Sequence, residues 1–333
     1  MECKQPTTHP GRIHTIDFIK GLCMLLVIID HAQLVDPASH HLYQMLDQIE
    51  VAGFFFISGY LYRDTGNNRE WLTSKFQRLI IPFLFFGGLY AFADILCNPV
   101  RFSQEWKPYL FYVYLSPLNY PLWFIRALFW IMLIQKAIRN LPVWIQYGLV
   151  GTIIGLLAIT GNAPLSIETS NKIITWLFQS NMISALVSYP FFRFGLLSAR
   201  HNIMTRQIPA KKRWSLFTVC LVLWCLSAKP DVHLHIPSAS SWLFLYVSAL
   251  TGSMALLLLS KDVPALPLIN YIGQHSMTVL GTHAILINII RHFGIQSPAI
   301  VTICTIAAMP PIIYLLQHYL PEVTGEKRQQ VHH

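Results

Sequence analysis

The sequence is divided into ten apolar runs, each of about 20 residues, which short polar segments separate. A helix needs about 20 apolar residues to cross the hydrocarbon core of a bilayer, so each run predicts a transmembrane helix. The runs lie near residues 14 to 36, 43 to 62, 76 to 96, 119 to 138, 142 to 160, 178 to 198, 213 to 228, 241 to 260, 266 to 290 and 298 to 320. Charged residues make up only 12% of the chain, against about 25% in a typical soluble protein. We therefore predict an all-α, polytopic bundle of transmembrane helices.

Basic residues indicate how this bundle is oriented. If the N-terminus is cytoplasmic, the inner segments hold sixteen Lys and Arg residues and the outer segments hold five. This bias follows the positive-inside rule and predicts that both termini are cytoplasmic, N-in and C-in. The same rule explains the net charge of +9, so no nucleic-acid partner is expected. We predict a cytoplasmic tail over 1–12, one membrane domain over 13–320 and a second cytoplasmic tail over 321–333.

The six cysteines are scattered along the chain, and most lie in or beside apolar runs. No two of them have the close spacing that metal ligands need. Small, buried apolar side chains are the simplest interpretation of these residues. No metal site is predicted.

The first span carries four ionisable residues, Asp17, Lys20, Asp30 and His31, in an otherwise apolar run. Such residues cost roughly 2.5 to 3.5 kcal/mol each at the middle of a membrane helix, so they are usually paired or functional. Lys20 and His31 are eleven positions apart, which places them on one stripe of a helix and about 16 Å apart along its axis. The spacing predicts a site with two ends.

The second span enters from the outside under this topology and carries Glu50 at a depth that we expect to match that of His31. A glutamate beside a histidine orients the ring and raises its basicity. The alternative is that Glu50 faces a hydrated outer vestibule. Asp30 is a competing partner, although its side chain points about 100° away from that of His31. Ser58, about 12 Å deeper, precedes Gly59 in a pair that commonly marks close helix packing.

Three further cations and one histidine are candidates for a site. Lys75 and Arg78 lie three positions apart where the third span begins, which fits either positive-inside anchoring or a phosphate clamp at a helix start. Arg126 lies a turn or two inside the fourth span, where we expect it to bind an anion or an acidic neighbour. His283 lies near mid-membrane in the ninth span, where it is either held structurally or lines a cavity.

In these motifs the chain resembles the acyltransferase-3 family of integral membrane acyltransferases. That family has a basic residue, ten intervening positions and a histidine in its first span, matched by Lys20 to His31. It also has an aromatic-x-x-Ser-Gly-aromatic motif, matched by Phe55 to Tyr60, and a basic-x-x-Arg motif ahead of a proline, matched by Lys75 to Pro82. Residues 272 to 276, together with the later histidine, are similar to its sugar-acetylase-like branch. Lysine replaces the commoner arginine at position 20, and Ala52 stands where a proline is frequent.

The resemblance implies transfer of an acyl group, most simply acetyl, from cytoplasmic acyl-CoA to a hydroxyl of a cell-surface or lipid-linked glycan. It implies acyl-CoA as co-substrate rather than a bound cofactor, and a location in the bacterial cytoplasmic (inner) membrane. The residues expected at the site are His31 with Glu50 or Asp30 for catalysis, Lys20, Ser58, Lys75 and Arg78 for the donor, and Asp17, Arg126 and His283 in the cavity or on the acceptor side. His31 is expected to act either as general base or as acyl carrier.

A transporter or flippase is the alternative from another class, with Asp17, Lys20, Glu50 and Arg126 forming a substrate path. The sequence shows neither an inverted repeat nor matching pairs of helices broken by Gly or Pro, which are typical of transporters. A purely structural membrane scaffold leaves the intramembrane charges unexplained.

Overall fold

The computed structural model of the protein describes residues 14–36, 41–64, 67–97, 121–160, 181–228, 232–233, 238–239 and 242–325. These residues form twelve α-helices, one π-helical turn, one 3₁₀ turn and one antiparallel pair of two-residue strands. The helices are α1 His14–His31, α2 His41–Tyr60, α3 Asn68–Lys75, α4 Ile81–Cys97, α5 Trp123–Ile138, α6 Val143–Thr160, α7 Met182–Arg200, α8 Ala210–Ser227, α9 Trp242–Ser260, α10 Pro267–Gln274, α11 Ser276–His292 and α12 Pro298–Tyr319. The π turn is Phe76–Ile80, the 3₁₀ turn is Pro321–Thr324, and the strands are β1 Val232–His233 and β2 Ser238–Ala239.

Every predicted span coincides with a helix or with two helices that follow each other directly. Four helical stretches are long and apolar enough to cross a membrane by length and composition: Asn68–Cys97, Met182–Arg200, Trp242–Ser260 and Pro298–Tyr319. The protein is thus a helical membrane protein. The count of ten spans and the N-in and C-in orientation stay predictions.

The first span ends earlier than its apolar run suggests. Helix α1 stops at His31, and Gln33 just beyond it has a φ of 58°, in the left-handed region. A left-handed residue two positions past the last helical one is a common way for a helix to end, because its amide satisfies a terminal carbonyl. His31 therefore lies at the end of α1 rather than several residues inside the span.

Helix α1 lies at the centre of the described bundle. It packs against α2, α10 and α11, and α2 packs in turn against α7 and α9. Met24 and Ile28 of α1, Phe55 of α2 and Phe191 of α7 are fully buried in the resulting core. Asp17 of the same helix is also buried, whereas Lys20, Asp30 and His31 are partly exposed.

Helices α2 and α7 cross at two glycines that bring their backbones into direct contact. A Cβ atom at Gly59 would overlap the carbonyl oxygen of Phe192, and a Cβ atom at Gly195 would overlap that of Phe56. Small residues at such crossings let membrane helices approach closely. Gly59 of the Ser58-Gly59 pair therefore allows α2 and α7 to pack closely.

Replacing Gly59 with alanine is expected to destabilise the protein, because the added methyl group meets rigid backbone. Overpacking of this kind costs about 1–3 kcal/mol. The thermal unfolding midpoint of the detergent-purified protein measures the effect. Gly151→Ala in α6 is the matched control, since no described atom lies within 4 Å of a Cβ there. Equal midpoints for the two variants would contradict a tight crossing.

Ion pairs connect the segments at one end of the bundle. Arg139 contacts both carboxylate oxygens of Asp64 at 2.6 and 2.7 Å, and Lys136 contacts the same carboxylate. Arg213 pairs with Asp262 in the same way. All of these residues lie in segments that the sequence places on the cytoplasmic side. The contacts therefore fix together the ends of helices that the topology predicts to share one face.

We expect the ion pairs of Asp64 to make the stability of the protein depend on pH. Partial burial raises its pKa, but the hydrogen bonds from Lys136 and Arg139 outweigh this and lower the pKa below the ordinary value of 3.8. A carboxylate with a lowered pKa stabilises the folded state above its unfolded-state pKa, and the contribution is lost as pH falls through the folded-state pKa. Asp64→Asn is therefore expected to unfold at a lower temperature than the wild type at pH 7. The difference should shrink below about pH 4. A difference that stays constant from pH 7 to pH 3 would contradict this role.

Candidate functional site

Four of the candidate residues line a single cavity of about 240 Å³, called here the basic cavity. Its polar lining is Lys20 of α1, Ser58 of α2, Lys75 of α3 and Arg78 of the π turn, together with Tyr62 and Ser276. Apolar side chains of α1, α2, α5 and α11 form the remaining walls. Three cations around one small cavity favour a ligand with anionic groups.

The π turn sets the position of the two basic residues ahead of α4. The third predicted span does not begin as a regular α-helix. Helix α3 ends at Lys75, and the wider π turn carries Arg78 before α4 begins. Such turns are rare and frequently occur at functional sites. The ammonium group of Lys75 lies over the rings of Tyr62 and Trp71, 5.7 and 5.9 Å from their centroids. Gly325, just after the 3₁₀ turn, lies against the backbone of Arg78, so the segment after α12 packs beside this cavity.

A larger cavity of about 600 Å³ adjoins the basic cavity and shares Lys20 and Tyr62 with it. Asp17 and Arg63 line this adjoining cavity as well. Asp17 is almost fully buried and lies at the same end of α1 as Lys20. The two cavities together form a charged depression at that end of the bundle.

Two histidines from different helices are in contact at the other end of α1. The rings of His31 and His283 stack with centroids 5.1 Å apart and an angle of 5° between their planes. His283 is completely buried in α11, and its Nδ1 lies 2.9 Å from the carbonyl oxygen of Val279. A carbonyl only accepts hydrogen bonds, so Nδ1 of His283 carries the proton and its Nε2 carries a lone pair. That Nε2 has no hydrogen-bond partner among the described residues.

Asp30 is the carboxylate that lies beside His31. Its Oδ2 is 3.2 Å from Nδ1 of His31. A carboxylate at Nδ1 favours the tautomer whose Nε2 is free to accept a proton. The His31 side chain is 15% exposed, so this end of α1 is accessible.

Glu50 lies in the first half of α2, in the interior of the protein. Helix α2 begins at His41, so Glu50 lies about 13 Å along it, and His31 is the last residue of α1. Glu50 is 4% exposed, which excludes the hydrated vestibule as its environment. Its Oε2 has no hydrogen-bond partner among the described residues. The expected match in depth between Glu50 and His31 stays a prediction.

Arg126 lies in the first turn of α5, with its guanidinium 5.7 Å from the ring centroid of Phe83 in α4. It does not line the basic cavity, although Phe124 of the same turn does. Its expected role toward an anion stays a prediction. The structure therefore places the donor candidates together and brings His31 to Asp30 and His283, whereas Glu50 and Arg126 line neither the basic nor the adjoining cavity.

Several residues that line these cavities were not among the candidates, and Tyr62 and Ser276 are two of them. Tyr62 lines both the basic and the adjoining cavity, and Ser276 lines the basic cavity where α11 begins. Tyr62 is the last residue of the second apolar run, and no spacing in the sequence marks it. Ser276 directly follows His275, where the single predicted ninth span is broken into α10 and α11. The His275-Ser276 pair was the sequence signal that could have identified Ser276.

A protein-family model described as an acyltransferase domain, Acyl_transf_3, matches residues 13–318. The chain belongs to the acyltransferase-3 family. The match covers nearly the whole chain and all ten candidate residues. Neither the curated proteins nor the solved structures contain a match to it. Membership of the sugar-acetylase-like branch stays a prediction.

An acyltransferase needs a place for an activated acyl donor and a group that activates the acceptor. In this acyltransferase the basic cavity lies beside the first half of α1, and the partly exposed His31 is the last residue of that helix. Lys20 and His31 are separated by about 16 Å along that helix. Met24, one turn beyond Lys20, still lines the basic cavity and so extends it toward His31.

Proposed function

We propose that this protein transfers an acyl group, most simply acetyl, from cytoplasmic acyl-CoA to a hydroxyl of a cell-surface or lipid-linked glycan. The observation that carries the proposal is the basic cavity, where Lys20, Ser58, Lys75 and Arg78 lie around one space. The family membership supports acyl transfer in general. The donor, the acceptor and the role of His31 are parts of the proposal.

The charged depression suits the anionic part of CoA. Lys75 and Arg78 bind its phosphate groups, and Lys20 lies between the basic and the adjoining cavity, where it contacts the same charge. The larger adjoining cavity offers room for the nucleotide. The acyl-bearing arm then extends past Ser58 and Met24 along α1, over the roughly 16 Å that separate Lys20 from His31.

His31 performs the chemistry in this proposal, and the Asp30 carboxylate, 3.2 Å from Nδ1, favours a proton on that nitrogen. As general base, Nε2 removes the proton of the acceptor hydroxyl while the oxygen attacks the thioester carbonyl carbon. A new C–O bond forms, the C–S bond breaks, and the CoA thiolate takes the proton back from the imidazolium. As acyl carrier, Nε2 itself attacks the carbonyl carbon, the C–S bond breaks, and the CoA thiolate takes the Nδ1 proton. The acceptor hydroxyl then attacks the acyl group, the C–N bond breaks, and the hydroxyl proton restores the neutral imidazole.

The test uses radiolabelled acetyl-CoA and membranes that contain the full-length protein. Label is followed into an extracted glycan fraction and into the protein itself. Label in the glycan is the expected result, and label that first accumulates on the protein identifies the carrier route. A panel of acyl-CoA donors that yields neither transfer nor hydrolysis would contradict the proposal and favour the transporter alternative.

A further inference from the structure

A third cavity, of about 370 Å³, lies between the second halves of α4 and α11 and is called here the polar cavity. Its polar lining comes from Tyr90 and Asp94 of α4 and from Asn288, Arg291 and His292 of α11. Residues three or four positions apart share one helix face, so each helix turns a polar face toward this space. None of these five residues is among the candidates that the sequence suggested.

The polar cavity lies at the opposite end of the same helices from the basic cavity. Helix α4 begins just after Arg78, and α11 begins at Ser276, both of which line the basic cavity. From Ser276 to Asn288 the axis of α11 rises by about 18 Å. Under the predicted topology the polar cavity is therefore near the outer surface.

The polar cavity is connected to the end of α1 where His31 lies. Arg291 donates a hydrogen bond of 3.1 Å to the carbonyl oxygen of Ala32, the residue that follows His31. Arg291 is also two turns beyond His283 on α11, and the ring of His283 stacks on that of His31. One wall residue of the cavity thus contacts the backbone next to the histidine pair.

The chemistry of the lining favours a neutral polyhydroxyl ligand. A carboxylate, an amide, a phenol and a guanidinium offer both acceptors and donors, and a sugar ring presents hydroxyl groups that need both. The carboxylate of Asp94 disfavours a strongly anionic ligand, and the polar faces disfavour an acyl chain. The amide nitrogen of Asn288 is 3.4 Å from the hydroxyl oxygen of Tyr90, so polar groups of the two helices meet across the cavity.

We propose that the polar cavity binds a sugar ring of the acceptor and presents its hydroxyl to the histidine pair. This inference rests on the proposed function, in which that hydroxyl receives the acyl group. Asn288 and Asp94 hydrogen-bond ring hydroxyls, and Arg291 holds the end of α1 against the cavity. They act as binding and positioning residues, while proton transfer stays with His31.

The test compares Asn288→Leu with wild type, both as purified full-length protein in lipid nanodiscs. Rates are measured with labelled acetyl-CoA and a panel of methyl hexosides as soluble sugar probes, together with acetyl-CoA hydrolysis in the absence of sugar. We expect the KM for the hexosides to rise about tenfold, because leucine leaves its hydroxyl partners unsatisfied. The KM for acetyl-CoA and the rate of hydrolysis should stay within twofold. Asn140→Leu, an exposed position just after α5, is the matched control and should match wild type.

Each other outcome separates this inference from the proposed function. An active enzyme whose hexoside KM is unchanged in Asn288→Leu overturns the sugar site and leaves the acyltransferase proposal standing. Transfer by wild type to long-chain alcohols but to no hexoside also overturns it. A wild type that neither transfers nor hydrolyses acyl groups defeats the proposed function itself. If Asn288→Leu does not purify as a single species, the isosteric Asp94→Asn variant tests the opposite wall with the same measurements.

Discussion

Replacing His31 with alanine is expected to lower the rate of acyl transfer by roughly 10² to 10⁴, the usual contribution of a general base. In the proposed mechanism the ring supplies the Nε2 lone pair that attacks the donor or deprotonates the acceptor. The Asp30 carboxylate, 3.2 Å from Nδ1, favours a proton on that other nitrogen. The measurement is the initial rate of label transfer from acetyl-CoA in membranes that contain equal amounts of each protein.

Binding and folding should survive this change. His31 is the last residue of α1 and its side chain is partly exposed, so its loss removes little of the core. His318→Ala is the matched control, because this exposed histidine on α12 stacks on Tyr314 and meets Tyr319 edge-on, and both tyrosines are exposed. A His31→Ala protein that keeps most of its activity would show that the catalytic group lies elsewhere.

Replacing Arg78 with alanine is expected to weaken donor binding far more than acceptor use. A hydrogen bond to a charged group contributes about 1.5–3 kcal/mol, so the KM for acyl-CoA should rise by roughly 10- to 100-fold. The KM for the acceptor should stay near the wild-type value, since the basic cavity lies at the other end of the helices. Steady-state kinetics with each substrate varied in turn measures both constants.

Lys212→Ala is the control for a general loss of positive charge at the predicted cytoplasmic face. Lys212 is exposed on α8 and lines neither the basic nor the adjoining cavity. It should leave both KM values unchanged. An Arg78→Ala enzyme with an unchanged affinity for acyl-CoA would contradict a phosphate role for the basic cavity.

The helices could be predicted from the sequence because their apolar runs are long and distinct. Periodicity on α1 also gave the separation of Lys20 and His31. The end of α1 could not be predicted from the apolar run, which continues past His31 while Gln33 turns into the left-handed region. That difference places His31 at the last residue of α1 instead of several residues inside the span.

Most features of the site that the sequence could not predict depend on contacts between distant parts of the chain. His31 and His283 belong to helices at opposite ends of the sequence, and no local pattern predicts that their rings stack. The π turn at Arg78 likewise depends on how α3 meets α4. For the Ser58-Gly59 pair, the sequence allowed either helix packing or a binding site. The structure assigns packing to Gly59 and a place in the cavity wall to Ser58.

The walls of the basic cavity differ in how tightly they pack against the rest of the protein. The α2 wall that bears Ser58 contacts backbone atoms of α7 at Gly59. Helix α3, on the other side, has eight residues, of which Trp71 is buried. Few buried contacts mean a low free energy of local opening. We therefore expect the backbone amides of α3 to exchange their hydrogens faster than those of α2 around Gly59.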